Sequence, residues 1–195
     1  MLLNETKIIL DLCGGTGSWS KPYKDAGYDV RIITLPKQNV VDYIPPTEVY
    51  GILSAPPCTE FSLARNRVNK TKPRDFIKGM IPVNACIRIA YQTNPYFFAL
   101  ENPVGMLSNF LGKARYIFHP WWFGDAYSKL TALWGYFNLP QRKYIEIEEV
   151  ITDKETIKKV KDNIRELPPL DGGTQAERRA ITPMGFAQAF FEANP

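Results

Sequence analysis

Four short apolar runs, each cut off by a turn that cannot extend a strand, decide what this chain can fold into. Lys7 to Leu12 gives way to Cys13-Gly14-Gly15-Thr16-Gly17, and Asp29 to Leu35, rich in Val and Ile, stops at Pro36. Tyr50 to Ser54 stops at Ala55-Pro56-Pro57-Cys58, and Tyr96 to Leu100 stops at Glu101-Asn102-Pro103. Proline lacks the N–H that a ladder requires, so Pro36, Pro57 and Pro103 end what precedes them. Between these runs, Ser18 to Ala26, closed by Gly27, and Asp75 to Gln92 carry helical spacing of apolar residues. Strands alternating with helices predict an α/β fold, a mostly parallel sheet with helices on both faces and right-handed crossovers.

The second half is less regular. Tyr116 to Gly124 is expected to be extended, and Leu130 to Trp134 and Tyr144 to Ile147 read as further strands. Lys154 to Lys161 reads as an exposed helix, with Lys158, Lys159 and Lys161 on one solvated face. Leu167 to Gln175 holds Pro-Pro and Gly-Gly and reads as a loop, and Thr182-Pro183 is a helix start. At 195 residues and 45% hydrophobic content, one domain over 1–195 is expected, with no repeat or low-complexity segment.

Three separated cysteines, Cys13, Cys58 and Cys86, make no disulfide framework, and no Cys-x-x-Cys or His-rich cluster points to a metal. Free thiols and a charged opening, Met-Leu-Leu-Asn-Glu-Thr-Lys, predict a cytoplasmic protein without a leader. No apolar run approaches the ~20 residues of a bilayer span, so no membrane partner is expected. A net charge of +4 permits a polyanionic partner without requiring one.

In open parallel sheets, ligands bind outside the carboxyl ends of the strands. Gly14 to Gly17, Asp42, Pro56 to Cys58 and Glu101 to Pro103 all fall there by this reading. The glycine turn lies between a strand and a helix, where backbone can approach a ligand closely. Ser20 replaces the third glycine of the dinucleotide fingerprint, and no Gly-Lys-Ser/Thr follows, which excludes a phosphate loop. Asp42 is a candidate acceptor for an adenine amino group, and Trp19 is a candidate cover for the adenine face.

The two proline turns suggest a reaction. A thiol on a rigid turn can add to carbon 6 of cytosine, making carbon 5 nucleophilic. Pro56-Pro57-Cys58 offers such a thiol, and Arg65, Arg67, Lys70, Lys72 and Arg74 follow to hold phosphates and favour the thiolate. Attack at carbon 6 is eased by a proton or strong hydrogen bond at nitrogen 3. Glu101, ending an apolar strand, is placed for that role, and partial desolvation should raise its pKa. Cys13 and Cys86 read as buried structural thiols. His119 and the tryptophans Trp121, Trp122 and Trp134 read as structural, which leaves the base for the carbon-5 proton unassigned.

This combination resembles the DNA (cytosine-5) methyltransferase family, and in overall texture its small phage-borne members. Asp11 to Gly17 resembles the first motif, in which Asp11, Cys13, Gly14, Gly15 and Gly17 would bind the cofactor. Asp42 falls where the family contacts adenine. Pro56-Pro57-Cys58 with Phe61-Ser62 resembles the catalytic motif, with Pro56 toward the cofactor and Pro57 and Ser62 toward the substrate. Glu101-Asn102 matches the motif that supplies the nitrogen-3 partner. Ile181 to Pro195, with Phe186, Phe190 and Phe191, resembles the last motif, which completes the cofactor pocket. The resemblance implies a Rossmann-like class I fold, S-adenosyl-L-methionine as cofactor and no metal. It also implies catalysis by Cys58 and Glu101, and substrate contacts from Pro57, Ser62, Arg65, Asn102 and Lys129.

Departures from the pattern are specific. Thr34-Leu35-Pro36 stands where an acid for the cofactor ribose is usual, Thr59-Glu60 replaces Gln-Gly, and Pro103 replaces Val. Tyr127-Ser128-Lys129-Leu130-Thr131 is the nearest counterpart of a motif with Gln and two Arg, Lys129 standing for an Arg. The recognition region, about 140–180, is minimal. DNA is therefore the expected partner, with a protein partner or homo-oligomer as a source of target specificity. A cytosine nucleotide, a single strand, and a non-catalytic module that grips nucleic acid remain as alternatives.

Overall fold

β1 (Ile8–Leu12), β2 (Asp29–Ile33) and β3 (Gly51–Ser54) form where the apolar runs place them, whereas β4 (Phe97–Pro103) runs past Leu100, so Glu101, Asn102 and Pro103, expected as the turn that stops it, belong to the strand. The computed structural model describes residues 4–63, 73–161 and 181–195. β5 (Tyr116–Phe118) and β6 (Thr131–Tyr136) complete a six-stranded sheet of order β2-β1-β3-β4-β6-β5. β1 pairs in parallel with β2 and β3, and β3 with β4, while β6 runs antiparallel to both β4 and β5. The fold is thus α/β with a mostly parallel sheet.

Side chains of alternate strand residues go to opposite faces. Leu10, Leu12, Ile52, Phe98, Leu100 and Trp134 join one buried cluster, and Ile9, Leu53, Phe97, Ala99 and Leu133 join the other. The first face is covered by α2 (Phe76–Thr93) through Val83, Cys86 and Ile89. The second is covered by α1 (Lys21–Asp25) and α5 (Met184–Ala193), through Tyr23, Phe186 and Phe190. Two shorter helices, α3 (Ser108–Leu111) and α4 (Lys154–Lys161), lie at the periphery.

Three sequence expectations are corrected. Tyr116 to Gly124 is not extended throughout, because Pro120–Phe123 turns into a 3-10 helix closed by Gly124 at φ 101°. Tyr144 to Ile147 is not a strand; Glu146 and Glu149 cap a 3-10 turn at Ile147–Glu149. Asp42 follows no strand but lies exposed in a turn between β2 and β3. The helix expected over Ser18 to Ala26 is confined to α1, and α4, expected to be exposed, keeps Lys158 and Lys161 exposed but buries Val160, with Lys161 2.6 Å from Glu148. The readings of Arg65, Arg67, Lys70, Lys72 and the Leu167 to Gln175 loop lie outside the described residues. Among the described residues no helix is long and apolar enough to cross a membrane.

Candidate functional site

The strand order reverses beside β1: the chain leaves β1 toward β2 and returns on the other side as β3. Such a reversal leaves a crevice outside the carboxyl ends of the two central strands. The glycine turn after β1 and the proline turn after β3 flank it. Ala55 N–H donates to Leu12 O at 2.9 Å and joins the two strand ends, while Cys13 N–H donates to Ile33 O at 2.7 Å and ties the glycine turn to the end of β2.

The turn itself is built around Asp11. Its side chain is fully buried, and the Ser20 hydroxyl donates to Oδ2 at 2.5 Å. Oδ1 is buried without a hydrogen-bond partner. Burial pushes the carboxyl up to about 6, against the opposing effect of Ser20. Gly14 lies directly over this carboxyl, and a Cβ there would overlap it. Cys13, Gly15 and Gly17 take positive φ of 59°, 54° and 74°, a sequence of left-handed residues that exposes Gly15 at the tip.

The proline turn is held from below. Asn102, fully buried, donates from Nδ2 to Pro56 O at 3.0 Å. Glu101 adjoins Asn102 and Cys58 lies two residues beyond Pro56, so this bond ties the turn that carries Cys58 to the part of β4 that carries Glu101. Cys58 is half-buried, and its carbonyl accepts from the Phe61 and Ser62 amides at 3.0 and 2.8 Å, closing a helical turn. Phe61 O in turn accepts from Met106 N–H at 2.9 Å, and Ser62 bridges to Gly105. A Cβ on Gly105 would overlap Phe61 O, so the strand end after Glu101 can approach this loop only as glycine.

Glu101 meets Lys129 at 3.5 Å, both side chains less than a fifth exposed. Tyr127, buried nearby, is raised well above the usual phenol range by burial, with the charges of Asp125 and Glu101 adding to it. His119 Nδ1 lies 3.2 Å from Ser128 Oγ, and burial, helped by Arg142, lowers its pKa. Arg142 also lies over the Trp121 and Trp122 rings at 4.9 and 4.3 Å, while Trp134 is buried, which keeps all three in structural roles.

The structure therefore brings Asp11, Cys13, Gly14, Gly15, Gly17, Pro56, Pro57, Cys58, Glu101 and Lys129 to one rim. It corrects others. Trp19 does not cover a ligand: it is 1% exposed, packed against Phe186 and Phe190 at 5.7 and 5.4 Å. Phe186 and Phe190 are themselves fully buried, so the Ile181 to Pro195 segment supports the sheet rather than lining an open pocket. Asn102 and Ser62 are buried and hold the loop, so they position rather than touch a substrate. Arg65 lies outside the described residues.

Three residues escaped the sequence reading. Ser20 was visible only as a missing glycine, yet it is the partner of Asp11. Arg74 was grouped with phosphate contacts. It donates instead to Glu60 O at 2.5 Å and Ser62 O at 3.0 Å, clamping the loop that carries Cys58. Asp125 accepts from Gly185 N–H at 3.0 Å and seats the start of α5. No local pattern announces such side chain-to-backbone bonds across long sequence separations. No protein-family model matches the chain, and no curated protein matches it.

Proposed function

We propose that this chain transfers a methyl group from S-adenosyl-L-methionine to carbon 5 of cytosine in DNA, with Cys58 as covalent nucleophile and Glu101 as the group that binds the ring at nitrogen 3. The observation that carries the reading is the Asn102–Pro56 hydrogen bond, which joins the Cys58 turn to the Glu101 strand end beside the glycine turn. The mostly parallel sheet is compatible with a Rossmann-like fold, and sheets of this kind bind ligands outside the strands' carboxyl ends where the strand order reverses.

The residues at the glycine turn fit the cofactor. Asp11 presents a buried, unpartnered carboxylate oxygen, and a cationic ligand is what such an atom lacks. Glycines over it remove every side chain that would stand between backbone and ligand. Asp11, Cys13, Gly14, Gly15, Gly17 and Pro56 would hold it. When bound, the cofactor supplies an electrophilic methyl group on a sulfonium.

The chain's own residues prepare the base. The Cys58 sulfur adds to carbon 6, and Glu101, held by Lys129, hydrogen-bonds the nitrogen-3 edge, so electron density moves to carbon 5. After alkylation, loss of the carbon-5 proton expels Cys58. A base within a duplex must first flip out to reach the rim.

Substitution of 5-fluorocytosine in the DNA tests this. Fluorine cannot leave as a proton, so wild-type protein should form a denaturation-resistant complex and Cys58→Ser should form none. Methylation without trapping ends the covalent mechanism. Cys58→Ser with unchanged activity would favour the non-catalytic nucleic-acid module. A second substrate class is favoured by the recognition region: its described part packs Ile147, Ile151 and Val160 back onto Trp121. Labelled methyl transfer to duplex, single strand and dCMP separates these substrates.

A further inference from the structure

The antiparallel half of the sheet is sealed on one face only. Phe118 of β5 and Leu133 of β6 belong to the buried cluster that α5 covers, and Tyr116 packs against it. Residues alternate between faces along a strand, so Ile117, Ala132, Trp134 and Tyr136 lie on the other face. A sheet face left to water normally carries polar residues. Here Ile117 and Tyr136 are each 43% exposed, and on the neighbouring side of α2 Tyr91 is 89% exposed.

Between α2 and β6 this face forms a trough of two cavities, about 520 and 350 Å³, which share Ile87 and Phe98. Tyr91 and Tyr136 line one end, and Lys113 and Arg115 line the other. Phe98 and Trp134, both nearly buried, make the floor. The Trp134 Nε1–H donates to Gly112 O at 2.9 Å, so its ring offers apolar surface with no unmet donor. Gly135, at φ 116°, adds backbone alone, since a Cβ there would collide with Phe98 O. Among the described helices, α2 and the one-turn α3 border the trough through Ile87 and Leu111, and none fills it.

We propose that this trough docks an acidic amphipathic helix of a partner protein. Helices ordinarily cover both faces of an α/β sheet, so a helix is the element whose shape completes this layer. Charge selects its composition. Lys113 and Arg115 are the ionic groups lining the trough, and no carboxylate among the described residues lines it. Arg115 is anchored there, its Nε–H donating to Phe137 O at 3.2 Å. A second copy pairing through the same face would bring these cations no acid, because a two-fold interface meets its own surface. Two cations are too few to follow a nucleic-acid backbone. A helix with apolar residues at i, i+3, i+4 and i+7, and carboxylates beside them, satisfies both the apolar floor and the cationic end. The docking does not rest on the proposed reaction.

Fluorescence anisotropy tests this with a labelled helical peptide carrying leucines on one face and glutamates beside them, and with a counterpart in which lysines replace the glutamates. The glutamate peptide should bind wild-type protein saturably. Lys113→Glu and Tyr91→Ser, both at exposed positions and both expected to leave the melting temperature unchanged, should each weaken it about tenfold, and Lys158→Glu on α4 should not. Hydrogen exchange should place the added protection on β6 and the second half of α2. No saturable binding of the glutamate peptide, equal binding of the lysine peptide, or protection elsewhere overturns the proposal. A monomer–dimer equilibrium abolished by Tyr91→Ser would make a second copy the occupant, and a crosslink in the free protein from Lys113 to residues 162–180 would make it the chain itself. Competition by single-stranded DNA that Lys113→Glu removes would assign the trough to nucleic acid. Each of these three results also overturns the proposal.

Discussion

Asp11 combines two costs at one position: a carboxyl without water and an oxygen without a donor. Its folded pKa of about 6 lies above the unfolded value of 3.8. The folded state therefore binds the extra proton between these values, and stability falls as pH rises through that window, by about 3 kcal/mol in all. Above about pH 6 the contribution is constant. Denaturant titrations at pH 4 and pH 7 should show this loss in wild type and its removal in Asp11→Asn. The same variant should bind cofactor at least tenfold more weakly, because the amide carries no charge to meet a cation. Gly14→Ala tests the turn from the other side: its methyl group would overlap the Asp11 carboxyl, so a destabilisation of about 1–3 kcal/mol is expected in thermal melts.

At the level of elements, the proline turn owes its shape to bonds that arrive from elsewhere. Arg74 grips the Glu60 and Ser62 carbonyls, and Asp75, whose N–H donates to Glu60 at 2.8 Å, caps α2 through Lys78 N–H. The helix start thus braces the loop that presents Cys58. On the proposed function, Arg74→Ala should lower kcat about tenfold with little change in melting temperature, measured by steady-state methyl transfer, since it frees the Cys58 loop without opening the core. The first three strands were legible because both periodicity and breakers are local, while β4 outran its expected stop because Glu101, Asn102 and Pro103 pair with the distant β6. Also legible was α2, whose apolar spacing is long. The strand misread at Tyr144 to Ile147 failed because Glu149 takes the Ile145 and Glu146 amides, at 2.8 and 3.0 Å, away from any ladder. Trp19 failed for a different reason: nothing near the glycine turn says that Phe186 and Phe190 will occupy the space beside it. The meeting of Glu101 with Lys129 was not legible in the sequence, since it depends on the antiparallel pairing that sets the loop before β6 beside β4.

Over the whole molecule, the aromatic layer beneath the sheet joins distant parts of the chain. Phe186 stacks on Phe118 at 4.0 Å and edges Phe123 at 5.5 Å, while Phe190 meets Trp19, Phe97 and Phe137. Gly185 lets α5 lie against the Phe123 carbonyl, where a Cβ would collide with backbone. Gly185→Ala should therefore destabilise the protein by about 2–3 kcal/mol and reduce cofactor binding at 37 °C more than at 15 °C, as followed by circular dichroism and titration. The Tyr23 hydroxyl donates at 2.8 Å to the Asn194 carbonyl, 171 residues away, and Asn194 in turn bonds Asn138. On a ribosome, the α1 segment beside the glycine turn must consequently wait until Asn194 has emerged before its final contacts can close. Until then its aromatic side chains have only chaperones or one another for company, and a nascent chain stopped before α5 should be cleared by proteolysis rather than accumulate in a partly folded form.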